Sequence, residues 1–248
     1  MTPFTSLPAA NPLVHCMTNR VADAISADVL LASGASPAMI YDIDEVESFV
    51  TIASALLINV GTITREEKPA FLLAAQTAHR LHKPWVLDPV AAGVLPSRDA
   101  FLSELTALKP TLIRANAGEI LAMAGFQSQM KGVDSVSTVE DAVEAARALA
   151  LKTETFVAVT GKSDYVTDGH RLLKIQGGAA LSSLVTGLGC SLSALCAAFL
   201  AIDPDPFEAA ESALTLSKKA QEIAHTAFAT PQAYRTAYID ALYTLTHV

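Results

Sequence analysis

Short apolar runs alternate with longer segments of helical periodicity along most of the chain. The apolar runs predict strands at residues 12–19, 36–40, 56–60, 85–88, 111–114 and 156–160. Helices are predicted between them, at residues 21–33, 45–53, 66–82 and 139–151, with a further helix that ends near Gly125. Strands that alternate with helices in this way predict a three-layer α/β fold, in which helices cover both faces of a mostly parallel central sheet.

The C-terminal part of the chain departs from this alternation. The Asp168-Gly169 pair suits a type I′ turn, so a β-hairpin is predicted there and the sheet is expected to be mixed at one edge. Three helices follow at residues 191–201, 207–226 and 231–246, separated by Asp-Pro and Thr-Pro breaks. Neither a repeat nor a low-complexity linker interrupts the pattern, and we therefore expect residues 1–248 to form a single domain.

Composition narrows the choice of partners. Charged residues make up only 17% of the chain and hydrophobic residues 51%, against about 25% charged residues in ordinary domains, so apolar surface is in surplus. The longest apolar run, near residues 192–202, is shorter than the roughly 18 residues that a membrane span needs. A net charge of −8 without a basic cluster argues against nucleic acid and against an anionic membrane surface. The expected partner is a small molecule.

The first residues and the cysteines indicate a compartment. The N-terminal segment lacks the basic patch and the apolar core of a secretory signal. The three cysteines form no Cys-x-x-Cys pair, which argues against a zinc site. Their odd number would leave one cysteine unpaired, which argues against a disulfide framework. We therefore expect a cytoplasmic protein with reduced thiols.

Residues 185–190, Val-Thr-Gly-Leu-Gly-Cys, precede the apolar helix predicted at 191–201. Gly187 and Gly189 allow the backbone to approach a ligand closely, and the free N–H groups of a helix start bind anions such as phosphate. Cys190 is expected in the first turn, where the helix dipole would lower the thiol pKa from its usual value of about 8.5 and make the group a proton acceptor. A tight loop with a buried cysteine is the alternative explanation.

Distinctive residues lie at the predicted carboxyl ends of the strands, where open α/β sheets bind ligands. Asp88 and Glu119 supply the oxygen donors that hold Mg²⁺ together with phosphate, and Arg114 can contact a phosphate. Each of these three has a purely structural explanation when taken alone. Together with the anion-binding loop they favour phosphoryl transfer, and therefore a kinase. The residues at the strand ends are Asn19, Met39, Gly61, Asp88, Arg114 and Thr160.

Eight stretches also occur in an order that is typical of one enzyme family. They are Pro-Leu-Val-His-Cys-Met-Thr-Asn (12–19), Gly-Ala-Ser-Pro-Ala-Met (34–39), Ile-Asn-Val-Gly-Thr (58–62), Leu-Asp-Pro (87–89), Ile-Arg-Ala-Asn-Ala-Gly-Glu (113–119), Lys-Gly-Val-Asp (131–134), Val-Thr-Gly (159–161) and Val-Thr-Gly-Leu-Gly-Cys (185–190). On these stretches the chain resembles the hydroxyethylthiazole kinase family, within the ribokinase-like fold, nearly from end to end.

The resemblance implies ATP-dependent phosphorylation of the hydroxyl of 4-methyl-5-(2-hydroxyethyl)thiazole, in thiamine synthesis and salvage. It implies that Arg114 and Thr160 bind ATP, and that Met39, Gly187 and Asn19 bind the thiazole. It also implies a homotrimer whose active sites lie at subunit interfaces. The apolar surplus points independently to an oligomer, because a monomer of this size would expose large apolar patches.

The same resemblance makes Cys190 the candidate catalytic residue, since most ribokinase-like kinases carry at this position the Asp that acts as base. The sequence departs from the family at Leu188, where a smaller or polar residue is common, and at residues 229–234 near the C-terminal helix.

Three alternatives stay open at this point. A cysteine hydrolase would pair Cys190 with His15 or His170. A regulator that binds nucleotide or thiazole without catalysis would keep the pocket and lose the reactive groups. A hydroxymethylpyrimidine kinase shares the fold, although residues 15–19 and 36–39 favour the thiazole.

Overall fold

The computed structural model describes residues 3–126 and 139–248. Its strands are β1 (Leu13–Met17), β2 (Ser36–Ala38), β3 (Ala55–Asn59), β4 (Trp85–Asp88), β5 (Leu112–Asn116), β6 (Phe156–Thr160), β7 (Asp164–Thr167) and β8 (Leu172–Ile175). They form one sheet in the order β2-β1-β3-β4-β5-β6-β7-β8. Strands β1 to β6 pair in parallel, whereas β7 is antiparallel to both of its neighbours. The predicted mixed edge is therefore confirmed.

The predicted helices are present, with ends that shift by a few residues. Two helices, Ser6–Ala10 and Pro96–Thr106, were not predicted, and the family stretch at 131–134 lies outside the described residues. The helices are α1 (Ser6–Ala10), α2 (Asp23–Ala32), α3 (Val46–Ile52), α4 (Lys68–Arg80), α5 (Pro96–Thr106), α6 (Ala117–Met123), α7 (Val139–Thr153), α8 (Leu188–Leu200), α9 (Pro206–Ala227) and α10 (Pro231–His247).

Two apolar cores lie on opposite faces of the sheet, and the alternation of side chains along each strand supplies both. On β3, Ala55 and Leu57 belong to the core shared with α2, α8, α9 and α10, which we call the α8-side core. Leu56 and Ile58 belong to the core shared with α3 to α7. The three-layer α/β prediction is confirmed by this arrangement.

Helix α8 forms the centre of its layer. Eleven of its thirteen residues are buried, and it packs against β1, β3 and β4 as well as α2 and α9. Gly187 precedes it with a φ of 81°, and a Cβ atom at this position would lie 2.7 Å from Ile25 Cγ2. Only glycine adopts this conformation and leaves this space without strain.

The β7–β8 hairpin differs from the predicted turn. Thr167 pairs with Leu172, so four residues connect the strands instead of the two of a type I′ turn. Asp168 stabilises the longer connection, because its Oδ1 accepts hydrogen bonds from the backbone N–H groups of His170 and Arg171.

Within the described ranges, none of the helices combines the length and the hydropathy that crossing a membrane requires.

Candidate active site

The polar residues at the strand ends face α8 because of strand alternation. Two positions before each of Asn59, Asp88 and Arg114 stands a residue whose side chain belongs to the α8-side core. Because side chains alternate along a strand, all three polar residues lie on that same face of the sheet. All three are buried. Asn59 and Asp88 are moreover register partners on β3 and β4. The sheet therefore brings them together directly beneath the start of α8.

A chain of hydrogen bonds joins these residues, and we call it the amide–carboxylate network. Asn19 Nδ2 donates to Asn59 Oδ1 at 2.9 Å, and Asn59 Nδ2 donates to Asp88 Oδ2 at 2.8 Å. Ser193 Oγ of α8 donates to the same carboxylate oxygen at 2.8 Å, and Arg114 Nη1 lies 3.6 Å from it. A buried carboxylate is tolerable only with such compensation.

The Asp88 carboxyl group titrates far from its ordinary range. Burial raises its pKa to about 6, Arg114 opposes the increase, Glu119 adds to it, and the hydrogen bonds from Ser193 and Asn59 oppose it further. The group is thus mostly ionised at neutral pH and becomes protonated in mild acid. Perturbed carboxyl groups of this kind concentrate at functional sites.

Cys190 is the third residue of α8 and joins the same network. Its Sγ accepts a hydrogen bond from Asn19 Nδ2 at 3.1 Å. Burial raises the pKa of this thiol, the Asp88 carboxylate raises it further, and hydrogen bonds from Asn19 and Asn59 act in the opposite direction. The expected lowering by the helix dipole is therefore wrong, because burial and a nearby negative charge outweigh it. The thiol is the dominant form at neutral pH.

Neither candidate histidine activates this cysteine. His15 Nε2 pairs with the carbonyl oxygen of Ile40 at 2.8 Å, and its ring packs on Phe49 of α3, on the opposite face of the sheet. Burial lowers the pKa of His15. His170 is exposed in the β7–β8 connection. Among the described residues no hydrogen bond joins Cys190 to either histidine, so the Cys–His pair that a hydrolase needs is not formed.

Arg114 and Thr160 are brought together as predicted. Arg114 Nη2 donates to Thr160 Oγ1 at 2.5 Å, and Nη1 donates to the carbonyl oxygen of Gly189 at 3.0 Å. Both residues line a cleft of about 1080 Å³. The cleft lies beside the start of α8, and its lining includes the glycine turn at 177–178. Its position combines a fixed cation with the anion-binding end of a helix.

Glu119 has a structural role in addition to its predicted one. Asn116 and Glu119 form a capping box at the start of α6, and Glu119 Oε1 also accepts the N–H of Ala91 at 2.9 Å. Its negative charge nevertheless contributes to the raised pKa of Asp88.

Over the described ranges, no cluster of three or more His, Cys, Asp or Glu residues offers a metal site. Two carboxylates still suit Mg²⁺, which typically takes one or two of them together with phosphate and water.

The two remaining predicted site residues, Gly187 and Met39, are not joined to the network by the described hydrogen bonds. Gly187 approaches the loop before α2, where Val21 O would lie 3.4 Å from an added Cβ. Met39 directly follows the edge strand β2 and is half-buried against the α8-side core. The described contacts do not link Met39 to Cys190 or Asp88.

Asn59 and Ser193 are site residues that the sequence prediction missed. Asn59 was detectable, because it is the one polar residue in an otherwise apolar strand. Gly61 supports it: an added Cβ there would lie 3.0 Å from both Asn19 Nδ2 and Asn59 Oδ1. Ser193 carries no comparable signal within its small-residue helix.

Comparison with known proteins places the chain in a family. The model of the hydroxyethylthiazole kinase family matches residues 4–248. Hydroxyethylthiazole kinase of Klebsiella pneumoniae (strain 342) is 50% identical over 237 residues, covering 96% of this chain and 92% of the relative. That of Escherichia coli O17:K52:H18 is 47% identical over 236 residues, covering 95% and 90%.

Solved structures agree with this placement. Hydroxyethylthiazole kinase of Pyrococcus horikoshii OT3 has a TM-score of 0.91 at 34% identity, covering 99% of this chain and 92% of that one. Pyridoxal kinase of Bacillus subtilis has a TM-score of 0.65 at 19% identity, covering 84% and 90%, and this likeness shows the shared ribokinase-like fold alone. On the match over residues 4–248 and on these identities, the chain belongs to the hydroxyethylthiazole kinase family.

Proposed function

We propose that this protein phosphorylates the hydroxyl of 4-methyl-5-(2-hydroxyethyl)thiazole with ATP, as a step of thiamine synthesis or salvage. The observation that carries the proposal is the position of the amide–carboxylate network in a chain of the kinase family: the network lies beneath the start of α8, and Arg114 links it to the cleft. An acceptor hydroxyl near Cys190 and phosphates near Arg114 would then meet at the anion-binding helix end.

The residues of the site would act mainly by positioning and by charge. In the proposal, Thr160 and Arg114 bind the phosphates of ATP, and the N–H groups at the start of α8 stabilise the negative charge that develops on the transferred group. Asn19, Gly187 and Met39 would line the pocket of the thiazole alcohol. A bound Mg²⁺ neutralises phosphate charge during the transfer; Asp88 and Glu119 are the side chains that would hold it.

The substrate is tested by ADP release over a panel of small alcohols. The thiazole alcohol should give the highest kcat/KM, and hydroxymethylpyrimidine and pyridoxal should give values lower by about tenfold or more. The panel uses one enzyme preparation, and each phosphorylated product is identified by mass. A higher kcat/KM for the pyrimidine would reassign the substrate while leaving the kinase activity in place.

We further propose that Cys190 accepts the proton of the substrate hydroxyl. Because its pKa lies above its ordinary value, kcat should still increase between pH 7 and pH 8.5. Cys190→Ala should lower kcat by about 10²–10⁴-fold, with little change in KM. The control is Cys190→Ser, which keeps an acceptor for Asn19 but no thiol.

Two results would contradict the role of Cys190 as base. One is an alanine variant within about twofold of wild type, a loss far below what a general base contributes. The other is a kcat profile that rises near pH 6 and stays flat above it, which would instead match the titration of Asp88.

Magnesium binding by Asp88 and Glu119 is tested by titration of the metal. Asp88→Asn should raise the magnesium concentration for half-maximal rate by about tenfold or more, since a ligand charge is lost. Glu119→Gln should act in the same direction, and its melting temperature must be measured as well because it removes a capping acceptor. Below pH 6 the wild type should also need more magnesium, because protonation neutralises Asp88.

The matched control for this titration is Glu154→Gln, an exposed carboxylate that pairs with Lys109. Unchanged titrations for both Asp88→Asn and Glu119→Gln would place the metal elsewhere.

A homotrimer with active sites at subunit interfaces is also part of the proposal. Two exposed apolar residues near the glycine loop support it. Val21, which is 62% exposed, has its carbonyl oxygen close to Gly187, and Leu184, which is 65% exposed, directly precedes residues 185–190. Met39 follows the edge strand β2, where a second subunit can approach. Exposed apolar side chains beside a site indicate that another surface completes it.

Co-expression of two inactive chains tests the shared site. Cys190→Ala and Met39→Glu should each lose nearly all activity alone, and hybrid oligomers should recover activity because some sites combine two intact halves. Co-expression of Cys190→Ala with Asn59→Leu is the control, since both changes affect the same half and should give no recovery. A fully active monomer in sedimentation would end this part of the proposal.

The single domain over residues 1–248 and the cytoplasmic location complete the proposal. One continuous sheet, shared by both cores, supports the first. Three free cysteines, Cys16, Cys190 and Cys196, support the second.

A further inference from the structure

Helix α9 contributes two buried polar side chains to the wall of the cleft. Lys218 and Gln221 line the cleft with 6% and 9% exposure. Neither residue was selected from the sequence, where the helix appears as an ordinary amphipathic segment. A lysine is rarely buried without partners that compensate its charge.

The partners of Lys218 lie in the loop that follows β6 and at Asp164, the first residue of β7. Its Nζ donates to the carbonyl oxygen of Gly161 at 2.9 Å and lies 3.1 Å from Asp164 Oδ1. The carbonyl oxygen of Lys162 is a weaker third partner at 3.5 Å. An ammonium group has three hydrogens, and these three oxygens can take all of them. Lys218 is therefore suited to hold the loop and not to bind a phosphate directly.

Asp164 closes the arrangement from the other side. Its Oδ1 also accepts the backbone N–H of Gly161 at 2.9 Å, so one loop residue is bound by both members of the ion pair. Burial raises the pKa of Asp164, while the Gly161 N–H and Lys218 oppose the increase. Loss of the lysine charge would leave a buried carboxylate without compensation.

The same turn of α9 also holds a second segment of the cleft lining. Gln221 Oε1 accepts the N–H of Ala179, and Glu222 Oε1 accepts the N–H of Gly178, both at 3.3 Å. Gly177 and Gly178 have φ values of 103° and 86°. One helical turn, residues 218–222, thus binds two segments of the cleft lining, 161–164 and 178–179, and the first of them directly follows Thr160.

We propose that Lys218 is a positioning residue for the nucleotide, which sets the width of the cleft by holding residues 161–164 against α9. The inference rests on the proposed function, since it assumes that this cleft takes the nucleoside triphosphate. The lysine acts through Gly161 and Thr160, and its removal changes the binding of ATP while leaving the pocket of the alcohol in place.

The test compares Lys218→Met with Lys219→Met. Lys219 is the adjacent, exposed lysine over the ring of Phe4, so the control removes a charge from the same helix without touching the cleft. Lys218→Met should raise KM for ATP by about tenfold or more, because small misplacements of binding groups have large effects. KM for the alcohol should stay within about twofold, and Lys219→Met should match wild type.

Asp164→Asn is the second variant, in case Lys218→Met does not fold. It removes the charge of the pair and keeps Oδ1 as an acceptor for Gly161, and the same selective rise in KM for ATP is expected. In Lys218→Ala, added propylammonium should lower KM for ATP again, whereas 1-propanol should not.

The outcomes separate the inference from the function on which it rests. A wild type that transfers no phosphate overturns the proposed function. A wild type that is active, with folded Lys218→Met or Asp164→Asn unchanged in KM for ATP, overturns the role of Lys218. Equal rises in KM for ATP and for the alcohol would show that the Lys218–Asp164 pair is only a general structural contact. That result would also overturn the positioning role of Lys218.

Discussion

The buried carboxylate of Asp88, at the end of β4, is the acceptor that determines how the neighbouring side chains orient their hydrogen bonds. Asn59 must turn its amide N–H toward this acceptor, so its carbonyl oxygen faces Asn19 and the N–H of Gly61. Asn19 in turn has only its amide nitrogen left for Cys190, because its oxygen accepts the N–H of Val21. Each group thus fixes the orientation of the next, and chains of this kind are worth more than their separate bonds.

Much of this site follows from strand geometry and could be predicted. Parallel strands end at the same edge of the sheet, and residues two positions apart lie on the same face. Asn19, Asp88, Arg114 and Thr160 were placed at strand ends on this basis, and the structure joins them through direct contacts with one another or with Asn59. The hydrophobic pattern also predicted the layers, and the Asp168-Gly169 pair predicted the mixed edge, although the connection is longer than the expected turn.

The features that could not be predicted depend on contacts between distant segments. The pKa of Cys190 is raised because burial and Asp88 act on it, and neither is visible in the helix-start pattern of its own sequence. Lys218 and Asp164 are separated along the chain and meet only because α9 packs beside the β6–β7 loop. Glu119 combines a local capping box with a tertiary bond to Ala91, and only the first can be recognised from spacing. Helix α5 was missed in a stretch between two strands.

Helix α8 is buried along nearly its whole length; Gly187 directly precedes it, and Cys190 lies in its first turn. The end that receives anions therefore cannot shift without repacking the centre of one layer, which dense interiors resist. Adaptation to ligands of different size must come from the segments around it, such as the glycine turn at 177–178, which lines the cleft. New substrate preferences would thus arise through the surrounding loops, while the geometry of phosphate transfer is inherited unchanged with the core.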